Sequence, residues 1–249
     1  MNENKKQQRF CLGDVHGHLE PLQEVLKKCE FDYDNDFLIT LGDIVDRGDK
    51  SFECVEELFK IKNRIDIKGN HDENFYNIMS GRGDAYFKHG STETIQSYIN
   101  NCNPEKIIHK TFSGYYTDFD IFDYPKSHFD FFQNQKLYYI LGEDTYFVHG
   151  GINRHYPIDE QIDNNVFYND RDFWAAALSH THINNSFKIN GDPKKVFIGH
   201  TPTTHWKSSV PMKAANGVII NLDTGCGKGG KLTIMNIDTE EFFQSDNKY

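Results

Sequence analysis

Short apolar runs alternate with amphipathic stretches along the first third of the chain. Arg9 to Leu12 reads as a strand. Leu19, Leu22, Val25, Leu26 and Cys29 then recur at helical spacing and predict an amphipathic helix over 19–29. Asp36 to Leu41 reads as a second strand, and Phe52, Val55, Leu58 and Phe59 mark a second helix. Arg64 to Lys68 is a third strand, with a helix starting near Asp72. A β-α-β-α-β run of this kind predicts an α/β fold with parallel strands and right-handed crossovers.

The rest is less periodic. Residues 80–135 look mostly helical and irregular, with Ser91 to Asn100 and Ser127 to Gln135 as the best helices. Leu137 to Leu141 and Thr145 to Val148 flank Gly142-Glu143-Asp144 and predict a hairpin. The polar stretch 150–194 holds one helix around Asp172 to Ser179. Val196 to Ile198, Gly217 to Leu222 and Lys231 to Ile237 are further strands, and the glycine-rich stretch 225–230 reads as a turn joining the last two. No repeat or linker interrupts the chain, and 249 residues suit a single domain over 1–249.

Five polar clusters punctuate this pattern. They are Gly13-Asp14-Val15-His16-Gly17, the run from Gly42-Asp43 to Asp46-Arg47-Gly48, Gly69-Asn70-His71-Asp72, His149-Gly150-Gly151 and Gly199-His200-Thr201. The first three follow predicted strands, at the carboxyl ends where open α/β sheets place their sites. Hard divalent cations take carboxylate, amide oxygen and neutral imidazole, and the clusters supply that set. One cation is expected on Asp14, His16 and Asp43, and a second on Asp43, Asn70, His149 and His200, with Asp43 shared. No cysteine joins the set, which favours a catalytic over a structural zinc site. Manganese is the first expectation for the metal pair, and iron or zinc also suit these ligands. Such a pair acidifies a bridging water for in-line attack on phosphorus. Arg47 is expected to grip the phosphate with its planar fork. His71, beside Asn70, is expected to protonate the leaving group, with Asp46 fixing its tautomer and raising its pKa.

Charge and composition narrow the partners. The formal net charge is -10 and the pI about 5.6, so a long nucleic-acid backbone is repelled by the average surface. No apolar run approaches the roughly 20 residues needed to cross a bilayer. The N-terminus lacks the zones of a signal peptide, and five scattered cysteines with no CxxC spacing read as reduced thiols. A cytoplasmic protein without membrane or nucleic-acid partners is expected.

As a set, the clusters resemble the motifs of the phosphoprotein phosphatase family of calcineurin-like metallophosphoesterases: GDxHG, GDxVDRG, GNH(E/D), HGG and a late GH. The resemblance spans Gly13 to His200. It implies a central β-sandwich of mixed sheets flanked by helices, with the dinuclear site at the sheet edge. It also implies a second phosphate-binding arginine after HGG. Arg171, in Tyr168-Asn169-Asp170-Arg171-Asp172-Phe173-Trp174, resembles the W-x-R-D-x-W segment of bacterial and phage members, with Tyr168 where tryptophan stands. Asp223, in Asp223-Thr224-Gly225, resembles a turn of bacterial members. The DRG triplet is similar to that of Ser/Thr protein phosphatases and implies a phosphorylated protein as substrate, in the phage-lambda-like branch. Asp72, where eukaryotic members carry Glu, is also found in diadenosine tetraphosphatases. The alternatives are a dinucleoside polyphosphate hydrolase and a non-catalytic phosphate-binding scaffold. His155 is a candidate for the substrate entrance, whereas His180 and His182 read as loop or solvent residues.

Overall fold

The computed structural model describes residues 6–83, 90–180 and 187–249. The N-terminal run is β1 (Arg9–Leu12), α1 (Leu19–Lys28), β2 (Phe37–Thr40), α2 (Ser51–Phe59), β3 (Asn63–Asp66) and α3 (Asn70–Met79). It continues through α4 (Ser91–Cys102), a hairpin of β4 (Ile108–Thr111) and β5 (Gly114–Thr117), and α5 (Lys126–Asn134). The second half holds β6 (Tyr138–Leu141), β7 (Thr145–Val148), α6 (Val166–Asn169), α7 (Asp172–His180), β8 (Lys195–Ile198), β9 (Met212–Ala214) and β10 (Ile219–Asn221). The chain ends in β11 (Thr233–Asn236) and β12 (Phe242–Gln244).

Two five-stranded sheets result, in the orders β12-β11-β1-β2-β3 and β6-β7-β8-β10-β9. Both are mixed. β1, β2 and β3 are parallel, as the sequence predicts; β11 runs against them, and β12, antiparallel to β11, runs in their direction again at the edge. In the other sheet β7, β8 and β10 are parallel, with β6 and β9 antiparallel at the edges.

Alternation along each strand decides which face meets what. Cys11, Ile39 and Met235 from one sheet meet Phe147, Phe197 and Ile220 from the other in a shared interior. Phe147 and Phe197 stack there with centroids 5.0 Å apart. The neighbouring positions point outward. Phe10, Leu12, Leu38 and Ile234 pack under the stripes of α1, α2 and α4, including Leu22, Val25, Val55 and Tyr98. Tyr146, Val148, Val196 and Ile198 pack under Phe173, Trp174 and Ala177 of α7. The architecture is thus a β-sandwich with helices on both outer faces, the α/β fold the motif resemblance implies.

Several expectations need correction. The 225–230 stretch does not close a hairpin, because β10 and β11 lie in different sheets. It carries the chain from one sheet to the other. The region 80–135 contains the β4–β5 hairpin, antiparallel with Lys110 opposite Tyr115, rather than only helix and coil. The last strands are shorter than expected, and the chain adds β9 and β12 at the two sheet edges. α3 starts at Asn70, ahead of Asp72, because the Asp72 carboxylate accepts the Gly69 N–H at 3.1 Å and pins the first turn.

Candidate metal centre

All five clusters reach one rim of the sandwich. Two loops follow β1 and β2 of the first sheet, a third follows β3, and two follow β7 and β8 of the second. Side chains from both sheets therefore meet across the interior. Asp43 is the hub. His16 Nε2 lies 3.6 Å from Asp43 Oδ2, His149 Nε2 3.4 Å and His71 Nε2 4.0 Å. Asn70 Oδ1 is 3.3 Å from His149 Nε2. Two groups of ligand atoms close enough to share an ion emerge: His16, Asp43 and His71, and Asp43, His149 and His200. Asp43 belongs to both, as a shared carboxylate requires. Asp14 does not fall within either group. Its carboxylate accepts the His200 N–H at 3.1 Å, on the flank of the second group.

Backbone contacts fix the imidazoles. His16 Nδ1 donates to the Val45 carbonyl at 2.9 Å and His149 Nδ1 to that of Leu41 at 2.7 Å. Each bond selects the tautomer whose Nε2 lone pair faces Asp43, the arrangement metal-binding histidines use. The glycines of the motifs make room for these approaches. A Cβ on Gly69 would lie 2.1 Å from Asp43 Oδ1, and one on Gly199 2.3 Å from Asp14 Oδ1. The loops are also strained. His16, Asp43, Asp46, Arg47 and His200 all adopt positive φ, between 51° and 75°. A non-glycine residue there costs about 1–3 kcal/mol and persists only where its surroundings hold it.

The electrostatics call for cations. Asp14, Asp43, His16, His149 and His200 are all buried. Burial pushes the Asp14 carboxyl well above its ordinary value, and Asp223 and Asp43 add to the push. Burial also works against the Asp43 charge, but His149, His71 and His16 outweigh it and hold that carboxyl well below its usual range. Burial keeps His16 well below its ordinary pKa, and burial with the charge of His149 takes His200 down to about 3. Neutral imidazoles are the form that ligates metals. His149 goes the other way, to about 10, since Asp43 and Asp14 overcome its burial. Its Nε2 marks the spot where the carboxylates demand positive charge. His200 Nε2 is buried with no hydrogen-bond partner among the described residues, which is the state of a ligand atom. The donor set and its charges fit a pair of divalent cations.

His71, Arg47 and Arg171 lie around this hub. His71 Nδ1 lies 2.6 Å from Asp46 Oδ2. Burial lowers the His71 pKa, but Asp43 and Asp46 more than compensate and raise it above its ordinary value. Arg47 Nη2 lies 3.1 Å from His71 Nε2, so the guanidinium donates to the neutral ring. Arg171 Nη1 donates to the His200 carbonyl at 3.3 Å and to Thr201 Oγ1 at 3.2 Å, on the opposite flank. His155 lines a separate cleft with Arg154 and Lys188, away from these ligands. His180 is tied to the Ala176 carbonyl at 2.7 Å, and His182 lies outside the described residues.

Four features escaped the sequence reading. Ser91 and Thr94 donate hydroxyls to the two oxygens of Asp46, at 3.2 and 3.1 Å, and hold it against His71. Asp72 accepts the Ile44 N–H at 2.8 Å and Gln135 Nε2 at 2.9 Å, tying the Asp43 loop to α3 and α5. The crossing segment 225–230 leans on the site, since a Cβ at Gly227 would lie 3.0 Å from His16 Cβ and 3.1 Å from Arg47 Cδ. Its next residue, Lys228, is pushed below its ordinary pKa by partial burial and by Arg47 and Arg171, so it is a third cation of this region. A lysine in a glycine turn carries no sequence signal that would have singled it out.

Comparison with known proteins agrees with this geometry. The bis(5'-nucleosyl)-tetraphosphatase PrpE (asymmetrical) of Bacillus mycoides (strain KBAB4) is 27% identical over 238 residues, covering 89% of this chain and 87% of the relative. A solved structure provisionally named a diadenosine tetraphosphatase superposes with a TM-score of 0.65 at 17% identity, covering 99% of this chain and 96% of the other. A protein serine/threonine phosphatase from Saccharomyces cerevisiae, with similarity to human phosphatase PP5, superposes with a TM-score of 0.54 at 15% identity, covering 100% of this chain and 82% of that one. Both structural likenesses concern the fold. The sequence profile of the calcineurin-like phosphoesterases matches residues 10–220, from β1 to β10 and through every ligand cluster. On that match this protein belongs to the calcineurin-like phosphoesterase family.

Proposed function

We propose that this metallophosphoesterase hydrolyses dinucleoside polyphosphates, with diadenosine tetraphosphate as the type substrate. The observation that carries the reading is the near full-length similarity to a bis(5'-nucleosyl)-tetraphosphatase. The charge layout supports it. Arg47, Arg171 and Lys228 gather three cations around the rim of a chain whose net charge is -10, which suits a polyanionic chain of phosphates. The Ser/Thr phosphatase expected from the DRG triplet is supported by fold-level likeness only. All five cysteines are free thiols, and no described helix is long and apolar enough to cross a membrane.

Asp14, His16 and Asp43 would hold one divalent cation, and Asp43, Asn70, His149 and His200 the other. When bound, such a pair supplies Lewis acidity toward a phosphoryl oxygen and makes a water acidic enough to attack. The chain's own groups do the rest. Arg47 leaves His71 for the phosphate, which opens Nε2 to a proton. Asp46, held by Ser91 and Thr94, then stabilises the imidazolium, and His71 delivers the proton to the departing oxygen. Arg171 and Lys228 hold the phosphates beyond the scissile bond.

Arg47→Ala tests the first of these roles. A hydrogen bond to a charged group contributes about 1.5–3 kcal/mol. The inhibition constant of free phosphate should therefore rise roughly 10- to 150-fold, and an unchanged constant would remove Arg47 from the phosphate grip. For the function itself, manganese-loaded protein is assayed on diadenosine tetraphosphate and on a phosphoserine peptide. A higher kcat/KM for the dinucleotide is expected. Preference for the peptide would restore the protein phosphatase reading, and turnover of neither would favour the scaffold. Resolving the products as AMP plus ATP or as two ADP then places the cleaved bond.

A further inference from the structure

The groove beside α4 has the size and chemistry of a nucleoside site. It has a volume of about 460 Å³ and is bordered by Asp49, Gln96, Asn100, Ile108 and Tyr115. Small-molecule sites commonly span about 300–1,000 Å³. Its position relative to the metal centre is fixed by bonds. The Arg47 N–H donates to the Gly90 carbonyl at 2.9 Å, and Ser91 and Thr94, in the first turn of α4, hold Asp46. Gln96 and Asn100 lie on the next two turns, on the outer face of that helix. Tyr115 and Ile108, from the β4–β5 hairpin, form an apolar wall opposite.

We propose that this groove takes one nucleoside end of the substrate, with the phosphates running from it across the metal centre toward Lys228 and Arg171. The proposal rests on the dinucleoside polyphosphate reading. Gln96 Nε2 donates to Asn100 Oδ1 at 2.8 Å. That bond orients the two amides and leaves Gln96 Oε1 as an acceptor and Asn100 Nδ2 as a donor. Adenine presents the complementary pair, a donor at N6 and an acceptor at N7, which side-chain amides recognise bidentately. The Tyr115 ring is the stacking surface for the base. Asp49 suits ribose hydroxyls, as acidic residues do in dinucleotide sites. Its charge also repels phosphate, which sets the polarity: nucleoside at α4, phosphates at the cations.

Binding of ADP and of inorganic phosphate to the metal-loaded protein, measured by calorimetry, tests this without turnover. Tyr115→Ala should weaken ADP about tenfold or more. The double variant Gln96→Ala, Asn100→Ala, at two exposed positions, should do the same and guards against a folding defect in the first. Phosphate affinity should hold in both. ADP bound no better than phosphate by the wild type, or bound equally by all three proteins, overturns the site. Continued cleavage of diadenosine tetraphosphate in that case leaves the hydrolase reading standing. Variant-sensitive ADP binding without such cleavage sinks the hydrolase reading and keeps the site.

Discussion

Asp43→Asn should abolish turnover and strip metal from the protein together. Asp43 is the one residue common to both groups of ligand atoms, and three imidazole Nε2 atoms lie within 4.0 Å of its Oδ2. Asparagine keeps the shape but removes the charge that holds two cations near each other. A metal pair contributes several kcal/mol to stabilising a phosphoryl-transfer transition state. At one decade per about 1.4 kcal/mol, a loss of roughly a thousandfold or more follows. Elemental analysis of the purified variant should show less than the wild-type metal content at every supplied concentration. Normal occupancy with normal turnover would end the case for Asp43 as the shared ligand. The second oxygen, Asp43 Oδ1, accepts the His71 N–H at 3.0 Å. The asparagine oxygen can still accept that N–H, so the start of α3 should keep its anchor while the metal is lost.

His71→Asn separates acid catalysis from metal binding. Its Nδ1 is committed to Asp46 at 2.6 Å, and Nε2 faces the site beside Arg47. Loss of a general acid commonly lowers turnover by about 10²–10⁴. The size of the loss should depend on the leaving group. A serine alkoxide needs its proton at the transition state, whereas a departing nucleotide phosphate, with a second pKa of about 6, needs it far less. Turnover of a phosphoserine peptide should accordingly fall by the full range, and that of diadenosine tetraphosphate and p-nitrophenyl phosphate by less. Both metals should remain bound. An equal loss on all three substrates would mean that His71 positions Arg47 or the metal pair instead of donating a proton.

The chemistry was more legible in the sequence than the topology. Ligand clusters are local, and a Gly-Asp or Gly-His after an apolar run states both the ligand and its strand-end position. The pairing of strands is not local. β10 and β11 are buried on both faces, with Ile219 and Ile220 facing different layers, as are Ile234 and Met235. Their sequences thus carry no preference for one sheet, and the default of pairing neighbours suggests a hairpin that does not exist. β9, β12 and the β4–β5 hairpin are three or four residues each. Segments that short give no periodicity to read. The positive φ of Asp43, Asp46 and His200 suits residue types that tolerate the left-handed region, but nothing in the sequence marks Arg47 for it.

The place of β11 beside β1 has a consequence for synthesis on the ribosome. Cys11 pairs with Met235, so one flank of the first sheet is completed only by residues made long after β1. Until then β1 presents a bare edge, with its N–H and C=O groups open to foreign strands. Contacts of such long sequence separation form slowly. A nascent chain halted before residue 233 should therefore aggregate or recruit chaperones, even though every ligand cluster has already been translated.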